Sequence, residues 1–239
     1  MRWSPLLFRW HRWFGYLVAL QVLVWVAGGL VFSWLPFDAW VKGGDVLVKP
    51  RQIWPANWIN TLGPLPSDKG ELLGFQGVAT AMGPALKLNY ASGEVLMSAE
   101  GGTLPAPDEH HIGRFAQKLY KGAGQLASVK RIDEIPVRLA MVRELGGRND
   151  IWIAQFDDVL KSRLYFAGTS GEFLAVRTEA WVIYDFFWRL HVMDYQHGED
   201  FNNKLLKFAS LAAILLTCSG LALSAIALRR AWRRRSTNG

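Results

Sequence analysis

Two long apolar runs, Phe14 to Leu35 and Phe208 to Leu228, leave this chain few folds to choose from. The first has only Gln21 and Ser33 as polar members, and the second only small hydroxyls and Cys218. At a rise of ~1.5 Å per residue each run reaches roughly 30 Å, the thickness of a bilayer's hydrocarbon layer, with no charge to bury. The expectation is an integral membrane protein with two transmembrane helices flanking a central domain. The first run exceeds the roughly 7 to 15 apolar residues of a cleaved signal, and no Ala-x-Ala site follows it. It therefore reads as an uncleaved anchor.

Charge orients the chain. Arg2, Arg9 and Arg12 precede the first run, Arg229, Arg230, Arg233, Arg234 and Arg235 follow the second, and neither end has an acidic residue. These eight arginines exceed the whole formal excess of +7, so the rest of the chain keeps 19 of the 27 basic residues against 20 acidic ones. Positive flanks stay in the cytoplasm. Both termini are expected there, with the central domain exported to the periplasmic side of a bacterial inner membrane. Nucleic-acid binding loses its support, because the basic excess lies beside membrane spans. The single cysteine, Cys218, is inside the second run, so the central domain has neither a disulfide framework nor a Cys-ligated metal.

Four stretches follow: 1–36, N-terminus and first span; 37–180, exported domain; 181–200, an amphipathic interfacial helix; 201–239, second span and basic tail. Phe37 to Pro66 mixes Trp40, Trp54 and Trp58 with Gly, Pro and Asn, which suits an irregular connection along the interface. From about Leu72 the pattern is extended, and Leu86–Tyr90 and Glu94–Ser98 alternate about Ser92-Gly93 as a β-hairpin. Phe166 to Leu174 repeats that design about Ser170-Gly171, which suggests a duplicated half-domain. Between the hairpins a helix is expected over Asp108–Tyr120, with Ile112, Phe115, Ala116 and Leu119 on one face. Ser128–Ile132 and Ile151–Phe156 read as strands, and Val137–Leu145 fits either period. Trp181 to Gln196 carries six aromatics among Asp185, Arg189, His191 and Asp194, too polar to span but suited to an interfacial helix broken at Gly198. Gly28-Gly29 reads as a close helix-packing point. The fold class is thus two transmembrane α-helices flanking an exported α+β domain.

His11-Arg12-Trp13-Phe14-Gly15 entering an apolar helix resembles the His-x-x-x-Gly start of the PepSY-associated transmembrane family. The Ser-Gly-Glu hairpins resemble those of PepSY domains, and Leu190-His191-Val192-Met193-Asp194 before a helix with Ser219-Gly220 resembles the family's final segment. The likeness is loose and nearly full length. Larger members have about twice as many membrane helices and include inner-membrane reductases of ferric siderophores, which hold haem through histidines at helix ends. The resemblance implies a PepSY-like exported domain, haem b, and His11 and His191 as axial ligands. It also implies that a complete haem-bearing bundle needs a second copy of this chain or a partner membrane subunit.

A bis-imidazole haem needs a neutral nitrogen on each side of the iron and room beside each ligand helix. His11 has Gly15 one turn along the same face, where a ring could lie close, and Arg9 and Arg12 near enough to pair with propionates. His191 has Arg189 beside it. For both histidines the plain alternative is an interfacial side chain. His11 is expected at the cytoplasmic edge and His191 at the outer edge, roughly 30 Å apart, so they cannot clamp one iron. A symmetric homodimer pairing each with its own copy, or a heterologous subunit, completes the sites. His197 lies roughly 240° round the helix from His191 and is a weak ligand. His110-His111 beside Asp108 and Glu109 is a poor chelate, since adjacent helical residues project about 100° apart. No hydrolytic motif is present. The function this implies is electron transfer across the membrane to a ferric compound such as a siderophore during iron acquisition. A haem-free anchored module that touches an exported protein or a transport system stands beside it.

Overall fold

A computed structural model describes residues 3–51, 53–54 and 56–237; Arg2 lies outside them, as do the side chains of Arg234 and Arg235. The chain divides into two compact units, Met1–Trp34 with Asp185–Gly239, and Leu35–Tyr184.

The second unit is a mixed α+β domain. Its first sheet is the meander β1 (Leu72–Thr80), β2 (Gly83–Tyr90) and β3 (Gly93–Ser98). The β2–β3 register closes at Tyr90 opposite Gly93, as the alternation about Ser92-Gly93 requires. A short helix α2 (Trp58–Thr61) precedes this sheet, and α3 (Glu109–Leu119) follows it. The second sheet runs β4 (Leu126–Ile132), β5 (Ile151–Phe156), β6 (Arg163–Ala167) and β7 (Phe173–Arg177), each antiparallel to the next. The two similar sequence stretches thus form equivalent hairpins, β2–β3 and β6–β7, in different sheets.

Asp108 ends its extended stretch by accepting the backbone N–H of His111 at 2.8 Å, a capping bond that starts α3. The apolar stripe of α3, Ile112, Ala116 and Leu119, is buried against Trp152, Ala154, Phe156, Leu164 and Phe166. Tyr120 stacks on Phe156 with centroids 3.8 Å apart. Each large apolar side chain here contributes ~1.5–3 kcal/mol of burial, which fixes α3 on the second sheet. Residues 138–147 form no long element: an Arg138–Val142 bridge and a 3₁₀ turn, Glu144–Gly147, resolve the period the sequence left open.

The stretch after Pro36 departs from the expected irregular interfacial connection. It opens with a π-helical turn, Phe37–Val41, and contains α2. Trp54 is a packing residue: with Leu62 it covers Leu86, Leu88, Tyr90 and Met97 of the first sheet. An indole beside a bare sheet face buries more apolar surface there than at a lipid boundary, and sequence alone does not reveal which face is bare.

The first unit holds α1 (Trp3–Trp34), most of α4 (Glu179–Val192) and α5 (Lys204–Thr237). Among the described residues one helix is long and apolar enough to cross a membrane: α5 over Lys204–Arg233, which contains an 18-residue stretch of mean hydropathy 2.3. Leu205, Phe208, Leu211, Ile214, Leu221 and Leu228 are all exposed on it. The N-terminal helix is not the straight span expected from Phe14 to Leu35. It bends by 56° between Pro5–Tyr16 and Val18–Trp34, and the two parts pass the same length-and-apolarity test only together. The helix expected at Trp181–Gln196 begins two residues earlier and stops at Val192, where Met193 takes φ +55°.

Candidate functional site: two imidazoles in the helical unit

A stripe of residues at helical spacing on α5 faces α1. Ala209 and Ala212 are buried there, Leu216 meets Gly15, and Ser219 and Gly220 meet His11. The antiparallel pairing carries His11 to a place the sequence did not suggest. Its ring lies against Ser219-Gly220, midway between Phe208 and Leu228, rather than at the end of the apolar run. A Cβ on Gly220 would stand 3.1 Å from His11 Cε1, so the bare glycine makes the ring's seat.

Ser219 decides which nitrogen of His11 is available. Its hydroxyl donates to the Leu216 carbonyl at 2.8 Å, and the same oxygen lies 2.7 Å from His11 Nδ1. With its one hydrogen directed at Leu216, the hydroxyl accepts, so in the neutral ring Nδ1 carries the proton and donates. Nε2 then keeps its lone pair, the form in which imidazole ligates a metal. His11 lines an open groove of about 850 Å³ with Phe8, Gly220, Leu221, Ser224 and Arg230.

His191 occupies an aromatic box. Its ring centroid lies 5.9 Å from those of Trp25 and Phe32 and 6.4 Å from that of Trp188, which stacks on it at 12°. The box is held by backbone bonds: Trp25 Nε1 donates to the His191 carbonyl at 3.0 Å, and Gln21 Nε2 to that of Leu190 at 3.3 Å. His191 Nδ1 is buried without a hydrogen-bond partner. An unsatisfied buried nitrogen costs about 1–3 kcal/mol, which a fold retains for a reason beyond packing. Asn203, which caps the start of α5, donates to the Val192 carbonyl at 2.8 Å. From there to Ser219 is about 24 Å along α5, so the two imidazoles are separate sites, as expected.

The remaining candidates sort differently. Gly15 does not open room for a ring, since a Cβ there would touch Leu216 at 3.8 Å, and the space at Gly220 is taken by the His11 imidazole itself. Arg12 is exposed. Arg189 is buried, its guanidinium committed to Asp185 at 2.6 Å and to the Gln196 carbonyl at 2.8 Å, an i,i+4 pair on α4 rather than a cation turned toward a ligand. Gly28 packs on Phe187 of α4, while Gly29 faces open space. His197 is exposed. His111 Nδ1 pairs with Asp108 at 2.6 Å, and no group of three or more metal-capable side chains forms among the described residues.

Sequence reading missed two residues that shape these sites. Ser219 was visible only as part of a small-residue pair, because its importance depends on helix pairing. Asp194 accepts the backbone N–H groups of Gln196, His197, Glu199 and Asp200 at 3.1–3.2 Å, fixing the loop that joins α4 to α5. Burial alone would raise its pKa, but these four donors hold it far below the usual carboxylate range. Comparison with family models, with curated proteins and with solved structures yields no match to this chain.

Proposed function

We propose that this chain is a two-span subunit of a bacterial inner membrane that binds haem b and passes electrons across the membrane to a ferric compound, such as a siderophore, at the periplasmic domain. The observation that carries the reading is the Ser219 hydroxyl fixing the proton on His11 Nδ1, which leaves Nε2 as a ligand in an open groove of the helical unit. The residues fit the group: a neutral nitrogen with its proton anchored, and a glycine beside the ring. His191, with a buried and unpartnered Nδ1, is the second ligand. When bound, haem supplies a reversible one-electron couple.

The chain's own part is to hold, shield and orient. Ser219 keeps the His11 ring in one tautomer, the box of Trp25, Phe32 and Trp188 keeps water from His191, and the basic ends hold both termini in the cytoplasm. Each imidazole needs a second ligand from a partner copy across a two-fold axis or from a partner membrane subunit, because the two are too far apart to share an iron.

An absorbance spectrum of detergent-solubilised protein, from cells supplied with haem precursors, tests this. We expect the Soret band of six-coordinate low-spin haem, shifting on dithionite reduction, and losing about half its intensity in either His11→Ala or His191→Ala. A colourless preparation, or a spectrum indifferent to both substitutions, would leave a haem-free anchored module as the function.

A further inference from the structure

The periplasmic-side candidate for an acceptor lies on the outer face of α3. His111, Arg114 and Lys118 sit at helical spacing, and with Phe115 they form one wall of a groove of about 380 Å³. The opposite wall is the tip of the β1–β2 hairpin, Ala79 to Pro84, and Arg51 closes one side. Phe115, Ala79, Ala81, Pro84 and Ile53 give the groove apolar surface beside its cations, so its lining is mixed.

The charge balance of this groove is one-sided. Arg51, Arg114 and Lys118 are exposed cations, and no carboxylate belongs to its lining. Two carboxylates near the groove are already engaged. Asp108 caps α3 and binds the His111 ring, and Glu172, whose backbone bridges Thr80, is held by Lys87 at 2.8 Å. Three like charges repel one another unless an anion enters, and low-dielectric walls focus their field on the space between. The groove also has anchored walls. The α3 face is fixed by the domain core, and the hairpin tip is tied by Ala81 donating to the Gly171 carbonyl at 3.0 Å.

We propose that this groove binds a small polycarboxylate, free or as its ferric chelate. A volume of this size, lined by two guanidinium groups, an ammonium and several apolar side chains, suits a compact molecule with two or three carboxylates. This deepens the proposed function, and rests on it only in naming iron as the chelated metal.

Isothermal titration of the full-length protein in nanodiscs, with citrate, ferric citrate and inorganic phosphate as probes, tests the groove without reference to haem. Citrate and ferric citrate are expected to bind more tightly than phosphate, with affinity falling as salt rises. Arg51→Gln, Arg114→Gln and Lys118→Gln should each weaken binding roughly tenfold. Lys130→Gln, which removes an exposed cation from β4 outside the groove, should leave it unchanged. Tighter ferric citrate than citrate identifies the chelate as the ligand, and equal affinity identifies the free acid. Absence of binding by all three probes overturns the proposal, as does equal weakening by Lys130→Gln, which marks a diffuse charge effect. A red protein that ignores citrate sinks the groove and leaves the haem, whereas a colourless protein that binds citrate does the reverse.

Discussion

At Ser219 one hydroxyl has two neighbours, the Leu216 carbonyl and His11 Nδ1, and its single hydrogen settles the tautomer of the ring. Removing it in Ser219→Ala leaves Nδ1 beside a methyl group in an apolar setting and lets the ring turn about its χ2 angle. Loss of such a partner typically lowers metal affinity about 10- to 100-fold. On the proposed haem reading, the expected outcome is faster transfer of haem from Ser219→Ala to an excess of an apo-haem acceptor protein, with Ser219→Thr recovering most of the difference. A purely structural Ser219 would change thermal stability without changing haem release. The sequence places Ser219-Gly220 in a small-residue pair but cannot show what faces it, because the partner is some 200 positions away on α1. His191 was legible as a residue with an unusual setting, yet the aromatics that box it come mostly from another helix.

Among the elements, α4 is the one whose end is built rather than merely reached. Met193 takes a left-handed conformation, unusual for a side chain of that size, and Asp194 then gathers four amides of the following loop, those of Gln196, His197, Glu199 and Asp200. Trp188 Nε1 donates to the Gly198 carbonyl at 3.0 Å, and Arg189 donates to that of Gln196, so the loop folds back on the helix that precedes it. Asp194→Ala removes the hub. Its effect is expected at roughly 2 kcal/mol, because each amide regains water in this exposed loop, and hydrogen exchange should show Gln196 to Asp200 losing protection together. Exchange unchanged in those amides would mean that Trp188 and Arg189 hold the loop without the carboxylate. The sequence placed the break at Gly198, beyond the true end of α4 at Val192, and did not show this lock, since an Asp followed by polar residues has no pattern of its own. The strands were more legible: β2, β3 and β5 alternate or run apolar between turn residues, and each lies where its period places it. The bend in α1 and the packing role of Trp54 were not, because both depend on what lies against them.

Across the molecule, acid is the condition that separates buried ionic architecture from surface decoration. In the α+β unit Arg163 donates to Glu144 at 2.8 Å and to Glu179 at 2.6 Å, and Arg138 grips Glu179 through both terminal nitrogens at 2.7 Å. Tyr165 donates to Glu144, and burial together with that carboxylate pushes the phenol's pKa up. These bonds tie the Arg138 segment, the 3₁₀ turn, β6 and the first turn of α4 into one network. The Arg138 bond above all, with Arg163, holds the Glu179 carboxyl down to about 2 from its ordinary 4.5. A carboxyl with a depressed folded pKa adds stability that is complete above the unfolded value, so the contribution is whole above pH 4.5 and drains away as pH falls toward 2. Asp150, lowered by Arg131, acts in the same direction, but that pair is half-exposed and salt screens it. Urea midpoints of the full-length protein, followed by tryptophan fluorescence in high salt, should therefore fall steeply between pH 4.5 and 2. Glu179→Gln should start lower at pH 7, because it removes one of the two carboxylates that pair with Arg163 and the one that Arg138 grips, and should lose less over that interval. Parallel curves for the two proteins would assign the acid sensitivity to other groups and reduce the network to a packing feature.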